Sequence, residues 1–149
     1  MSQTKLKVLF LCTGNSCRSQ MAEGWARALK SDVIEPYSAG IEMHGMNPRA
    51  VRVMAEAGVD LSAQHSKTVD ALRGVALDVV VTVCGHADET CPAWLSGSAR
   101  VVHCGFDDPP KLAREAKSEE EALFHYRRVR DEIRRFIEAL PESLERWPG

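Results

Sequence analysis

The clearest pattern along the chain is a set of short, continuous apolar runs separated by segments with helical spacing of apolar residues. Residues 8–11 and 77–83 are runs of the kind that predicts buried strands of a parallel sheet. Residues 37–41 and 100–104 are shorter candidates for strands. Because helical patterns lie between these runs, the order of elements predicts a single α/β domain over residues 1–149. Its four-stranded parallel sheet is expected to lie between helices in a three-layer fold.

The predicted helices have recognisable starts. Asn47 followed by Pro48 is a typical N-cap and first-turn pair, and Ser118 with Glu121 forms a candidate capping box. Glu35-Pro36 is expected to interrupt the pattern before the second strand. The predicted helices cover residues 21–30, 48–58, 69–73 and 118–139, and the residues after Pro141 are expected to form a tail.

The segment that follows the first apolar run carries the strongest chemical signal. Cys12 ends the run, and the next four residues are small or favour turns. A loop between a strand and a helix N-terminus directs several N–H groups to one point, and the helix dipole adds to their field. Such a loop predicts a site for a tetrahedral oxyanion, and the same field favours the thiolate of Cys12. The expected oxyanion-binding residues are Thr13, Gly14, Asn15, Ser16, Cys17, Arg18 and Ser19.

Arg18 and Ser19 add specific groups to this loop. The spacing C-x5-R brings the planar guanidinium of Arg18 within one loop length of Cys12, where it can hold two oxygens of the anion. Ser19 can donate a hydrogen bond to the sulfur, whereas the side chain of Cys17 is expected to point away and to pack. The alternative is a buried structural cysteine beside a surface arginine, and the flanking strand and helix disfavour it.

Two further cysteines follow the strand predicted at residues 77–83. The carboxyl ends of parallel strands share one edge of a sheet, which predicts that Cys12 and Cys84 lie at the same edge. Cys84 and Cys91 enclose a polar segment with Gly85 that can change between loop and helix. Thiol–disulfide exchange requires only a reachable thiolate in line with a disulfide. A zinc site and two unrelated thiols are the alternatives, although the C-x-x-C spacing of most zinc sites is absent.

Composition excludes several classes of function. The 149 residues, 44% hydrophobic and 27% charged, predict one soluble globular domain. The net charge of −2 argues against nucleic acid as the main partner. Neither a membrane span nor a signal peptide is evident, so we expect a cytoplasmic protein. Five cysteines in a reducing compartment are more typical of reactive thiols than of structural disulfides.

Taken together, the motifs resemble the low-molecular-weight protein tyrosine phosphatase family, and more narrowly its thioredoxin-coupled arsenate reductases. The resemblance extends over nearly the whole chain and rests on C-T-G-N-S-C-R-S-Q-M-A-E-G, Y-S-A-G-I-E, H-G-M-N-P, V-T-V-C-G-H-A-D-E-T-C-P and G-F-D-D-P. It implies that Cys12 attacks arsenate, Cys84 attacks Cys12, and Cys91 attacks Cys84. Thioredoxin would reduce the final disulfide. The resemblance also implies that Asp108, directly before Pro109, is the general acid, and that a monomer works without cofactor or metal.

Two other functions stay open at this point. A protein tyrosine phosphatase would use Cys12, Arg18 and Asp108 alone. Aromatic residues that would hold a phosphotyrosine ring are not evident at Pro110-Lys111-Leu112. The third possibility is a non-catalytic sensor of oxyanions or of redox state.

Lys67 marks a departure from the family pattern. Some members bind a monovalent cation with an acidic residue at this position, together with residues matching Asn15, Glu23 and Ser38. Here the ammonium of Lys67 is expected to supply the positive charge near Glu23, and Asn15 is expected to brace the loop with Ser38 as a partner. The five histidines show no spacing typical of a metal site, and Cys104 is expected in the core.

Overall fold

Four parallel strands form the centre of the molecule, in the order β2-β1-β3-β4. The computed structural model describes residues 5–146. The strands are β1 (Leu6–Cys12), β2 (Ile34–Gly40), β3 (Val79–Thr82) and β4 (Arg100–His103). In the register of the sheet, Leu9 lies between Tyr37 of β2 and Val80 of β3. The predicted fold class, α/β with a four-stranded parallel sheet flanked by helices, is confirmed.

Helices cover both faces of the central strands. The last five residues of β1 and all four of β3 are buried, and successive residues of a strand point to opposite faces. The longest helix, α6, packs against α1, α2 and α5, while α3 contacts β1 and β3. No helix among residues 5–146 is long and apolar enough to span a membrane. The helices are α1 (Arg18–Lys30), α2 (Pro48–Glu56), α3 (Gly85–Glu89), α4 (Ala93–Ser96), α5 (Pro109–Ala113) and α6 (Glu119–Glu138), with short 3-10 helices at Val69–Leu72 and Glu142–Arg146.

The helix starts predicted from capping residues are confirmed. The Asn47 side chain accepts hydrogen bonds from the N–H groups two and three residues further on, at 2.9 and 3.2 Å. Ser118 Oγ accepts from the N–H of Glu121 at 3.1 Å. The Glu121 carboxylate reaches back to the N–H of Lys117 instead of that of Ser118, so only half of the capping box forms. Gly58, with φ +85°, follows the end of α2.

Three sequence expectations about the elements are wrong. Pro36 lies inside β2, which is tolerated because β2 is an edge strand and needs ladder hydrogen bonds on one side only. α1 begins at Arg18, three residues before the predicted start at residue 21. The expected tail forms a 3-10 helix up to Arg146 because Leu144 is buried in the core; the rest of that segment lies outside the described residues.

Candidate active site

The loop between β1 and α1, residues 12–18, is called the Cys12 loop here and lines a pocket of about 310 Å³. Four of its carbonyl oxygens accept hydrogen bonds from the segment that follows β2. The pairs, at 2.7–3.1 Å, are Cys12 with Ile41, Thr13 with Glu42, Gly14 with His44 and Ser16 with Asn47. Within the described part of the chain, the N–H groups of residues 13–17 have no hydrogen-bond acceptor. The fold therefore occupies the carbonyls and leaves the N–H groups free for an anion.

A chain of buried hydrogen bonds ends at the sulfur of Cys12. Cys12 Sγ lies 2.8 Å from Ser19 Oγ, and Asn15 Nδ2 donates to the same hydroxyl at 2.8 Å. Asn15 Oδ1 accepts from Gln20 Nε2 and from the backbone N–H of Lys67, both at 2.9 Å, which fixes the orientation of the amide. Because Ser19 Oγ accepts from Asn15, its own proton is free to point at the sulfur. Since Cys12, Asn15 and Ser19 are all buried, water screens this contact between hydroxyl and sulfur only weakly.

Backbone conformation and close contact shape the same loop. Asn15 has φ +49°, in the left-handed region that Asn tolerates better than most residues. A Cβ at Gly14 would overlap the imidazole of His44, so only glycine lets this ring approach the loop. His44 Nε2 lies 2.9 Å from Glu42 Oε2. Through its close contact with Gly14, the ring of His44 forms part of the pocket wall.

Arg18 and Asp108 meet at the pocket. Arg18 Nη1 donates to the carbonyl of Phe106 at 2.9 Å, and Nη2 lies 3.7 Å from Asp108 Oδ1. Both residues line the pocket of Cys12. The neighbouring Asp107 accepts a hydrogen bond from Arg128 of α6 at 2.9 Å. The segment that carries Asp108 is thus tied to the Cys12 loop on one side and to α6 on the other.

Cys84 lies beside the Cys12 loop, as the switch-point rule predicts. It follows β3, the neighbour of β1, and its sulfur is 3.4 Å from Thr13 Oγ1. The same sulfur caps α3 by accepting from the N–H of Ala87 at 3.4 Å. Like Cys12, Cys84 is buried. Two donors, the hydroxyl of Thr13 and the N–H of Ala87, are therefore available to a negatively charged sulfur at this position.

Cys91 lies outside the pocket, beyond the end of α3, and is half-buried. Burial raises the pKa of its thiol, and the carboxylate of Asp88 raises it further. Asp88 is itself anchored, since Thr82 Oγ1 donates to its carboxylate at 3.1 Å, and His103 Nδ1 lies 2.8 Å from the same hydroxyl. Neither Cys84 nor Cys91 lines the pocket, but the sulfur of Cys84 contacts Thr13, the residue after Cys12, whereas Cys91 lies beyond the other end of α3.

The other two thiols lack these activating contacts. Burial raises the pKa of Cys17 far above its ordinary value although the charge of Arg18 opposes the change, and Cys17 belongs to the core. Burial also raises the pKa of half-buried Cys104, which follows β4. No group of three or more Cys, His, Asp or Glu side chains within residues 5–146 is arranged to hold a metal ion.

Lys67 approaches the buried carboxylate of Glu23. Its Nζ donates to the carbonyls of Ser38 and His65 at 3.1 and 3.0 Å. The hydroxyl of Ser38 donates to Glu23, so the expected pairing of Ser38 with Asn15 is wrong. Arg27 also binds Glu23. Burial lowers the pKa of Lys67, while the charge of Glu23 opposes that shift, as expected for an ammonium near this carboxylate.

Sequence reasoning missed two residues of the pocket, His44 and Arg114. His44 lies in the motif H-G-M-N-P, so a signal for it existed. Arg114 had none, because it is placed by the C-terminal end of α5, and this five-residue helix was not predicted.

Comparison with known proteins identifies the family of the chain. The family model described as low molecular weight phosphotyrosine protein phosphatase matches residues 7–147. An arsenate reductase of Halalkalibacterium halodurans is 51% identical over 139 residues, which cover 93% of this chain and 97% of the relative. A solved arsenate reductase in the phosphate binding state superposes with a TM-score of 0.75 at 32% identity, covering 91% of this chain and 95% of that one. An arsenate reductase in oxidized state gives a TM-score of 0.75 at 31% identity over 93% and 98% of the two chains. The chain therefore belongs to the low molecular weight phosphotyrosine protein phosphatase family.

Proposed function

We propose that this protein reduces arsenate to arsenite with three cysteines, Cys12, Cys84 and Cys91, and that thioredoxin restores the reduced enzyme. The observation that carries the proposal is the position of Cys84, whose sulfur lies 3.4 Å from Thr13 Oγ1 at the edge of the Cys12 loop. A phosphatase needs no second thiol there, whereas a reductase does. The relatives that are arsenate reductases, at up to 51% identity among those described above, support arsenate as the substrate.

The first step forms a bond between Cys12 and arsenic. The N–H groups of the Cys12 loop and the guanidinium of Arg18 hold the oxygens of arsenate, an isostere of phosphate. Ser19 stabilises the attacking thiolate through the 2.8 Å contact with its sulfur. Asp108, next to Arg18 in the pocket, gives a proton to the oxygen that leaves, so that hydroxide departs as water.

The second step transfers two electrons to arsenic. The thiolate of Cys84 attacks the sulfur of Cys12, and a disulfide forms between the two cysteines. The electron pair of the broken sulfur–arsenic bond stays on arsenic, which changes from As(V) to As(III) and leaves as arsenite. The two sulfurs lose these two electrons when the disulfide forms, so arsenic is the oxidant and no cofactor is needed.

The third step requires α3 to change shape. The five helical residues of α3 rise about 7.5 Å, and Cys84 and Cys91 lie beyond its two ends. The Cα atoms of a disulfide lie no more than about 7 Å apart. The segment between Cys84 and Cys91 must therefore unwind before Cys91 attacks Cys84. The Cys84–Cys91 disulfide then becomes the substrate of thioredoxin. All reacting groups come from one chain, so the proposed cycle needs neither a second subunit nor an organic cofactor.

Single-turnover experiments on cysteine variants test this order. Cys91→Ser should release one arsenite per enzyme and stop with Cys12 joined to Cys84, because the thiol that would attack Cys84 is missing. Cys84→Ser should bind arsenic at Cys12 without completing the relay. Cys17→Ser and Cys104→Ser are the matched controls and should turn over repeatedly. Mass mapping identifies the trapped disulfide; repeated turnover of Cys91→Ser with thioredoxin, or a trapped bond to Cys17, would contradict the relay.

Phosphatase activity is the second candidate function, because Cys12, Arg18 and Asp108 share one pocket. These three groups suffice for phosphoryl transfer through a cysteine nucleophile. An assay with an aryl phosphate, run beside the arsenite assay on the same preparation, separates the two activities. Loss of arsenate reduction in Cys84→Ser with retained aryl phosphate hydrolysis would assign Cys84 to reduction alone. The absence of both activities in the unmodified protein would leave the non-catalytic sensor.

A further inference from the structure

One short helix supplies two charged residues to the pocket of Cys12. Asp108 is the N-cap of α5 and Arg114 is its C-cap, and both line the pocket together with Pro110. α5 is held in place because Pro109 and Ala113 are buried and the helix packs against α6. The position of Arg114 at the pocket is therefore set by the fold, although the side chain is exposed.

The other charged groups of the pocket do not compensate the charge of an entering dianion. Arg18 is already engaged by the carbonyl of Phe106 and by Asp108. Attack on an oxyanion requires Cys12 as thiolate, and the charge of that sulfur offsets the charge of Arg18. An entering dianion would therefore meet no net positive charge from these two groups. The side chain of Arg114 makes no ion pair or hydrogen bond within residues 5–146, so its charge is available to compensate.

We propose that Arg114 is a specificity-determining residue that attracts doubly charged oxyanions into the pocket of Cys12. The identification of that anion as arsenate rests on the proposed function, whereas the role of Arg114 does not. Arg114 acts on binding and not on the reacting atoms, because it lies at the exposed rim while Arg18 lies against the loop. Its effect should be electrostatic and should weaken as salt is added.

Steady-state kinetics test this role with a matched control. Lys111 belongs to the same helix, is exposed and carries the same charge, yet does not line the pocket. At low salt, Arg114→Ala should raise KM for arsenate by about threefold to tenfold with kcat unchanged, as expected for one charge facing a dianion in water. Lys111→Ala should change KM little. A KM unaffected by Arg114→Ala, or raised equally by Lys111→Ala, would overturn the proposal.

Alkylation of Cys12 tests the same charge without arsenate or thioredoxin. Iodoacetate is an anion and iodoacetamide is neutral, so their rate ratio at Cys12, measured by mass mapping, reports the field in the pocket. Arg114→Ala should lower the iodoacetate rate by about twofold to threefold and leave the iodoacetamide rate unchanged. An unchanged ratio would refute the role of Arg114. If the ratio falls as expected and the unmodified enzyme nevertheless reduces no arsenate, the proposed function fails and the role of Arg114 stands.

Discussion

Asn15 offers a quantitative test of how the Cys12 loop is stabilised, because both its side chain and its backbone are special. Asn15→Ala removes three hydrogen bonds of a buried side chain, to Ser19, Gln20 and the N–H of Lys67. At about 1 kcal/mol each, they contribute about 3 kcal/mol to the free energy of unfolding. Alanine at φ +49° costs about 1–2 kcal/mol more. The variant should therefore be about 4 kcal/mol less stable than the unmodified protein.

Asn15→Gly separates the backbone contribution from the side-chain contribution. Glycine loses the same hydrogen bonds but adopts the left-handed conformation without steric cost. Its greater freedom in the unfolded chain costs about 0.4–1 kcal/mol relative to alanine. Asn15→Gly should thus be about 1 kcal/mol more stable than Asn15→Ala. Urea unfolding followed by the fluorescence of buried Trp25 measures both; equal stabilities, or a more stable alanine variant, would refute the argument.

Two further predictions concern charge near the thiols and near Glu23. Asp88→Asn keeps an acceptor for Thr82 but removes the carboxylate that raises the pKa of Cys91, so more thiolate is present at a given pH. The increase with pH of the rate of Cys84–Cys91 disulfide formation should therefore begin at a lower pH in Asp88→Asn than in the unmodified protein. An unchanged pH profile in single-turnover measurements would contradict this. Because Lys67 supplies an ammonium near Glu23, the activity of the unmodified protein should be equal in potassium chloride and in sodium chloride at the same ionic strength. In Lys67→Met, which lacks this charge, potassium should raise the activity more than sodium does. Stimulation of the unmodified enzyme by potassium but not by sodium would contradict the view that the ammonium of Lys67 takes the place of a bound cation.

The parts of the fold that could be predicted are those encoded by neighbouring residues. The central strands are continuous apolar runs because both of their faces are buried, and the cap at Asn47 is a local hydrogen-bond pattern. Pro36 misled the prediction, since the edge position that makes a proline acceptable in β2 depends on the order of strands in the sheet. Leu144 could not be placed either, because its burial depends on packing after the end of α6.

The candidate site divides in the same way. Cys12, Ser19 and Arg18 share one strand–loop–helix unit, so their neighbourhood follows from the sequence alone. Cys84 required one general rule about parallel sheets, and the structure places it where that rule predicts. Arg114 could not be found, because its approach to the pocket depends on the length and packing of α5. The wrong pairing of Asn15 with Ser38 has a similar cause: the nearer partners Ser19 and Gln20 are on α1, and Ser38 turns to Glu23.

The cap of α3 has a consequence for the timing of the proposed relay. The sulfur of Cys84 accepts the N–H of Ala87, and α3 has only five residues. A helix this short has little stability of its own, so the cap matters. Once Cys84 enters a disulfide with Cys12, its sulfur is a weaker acceptor than the thiolate that makes the proposed attack. The bond that ends the second step thereby loosens the segment that holds Cys91 back, and the order of events is set by the chemistry without an external signal. Before arsenate arrives, an intact α3 keeps Cys91 apart from Cys84, which in the proposed relay protects the reduced enzyme from idle oxidation.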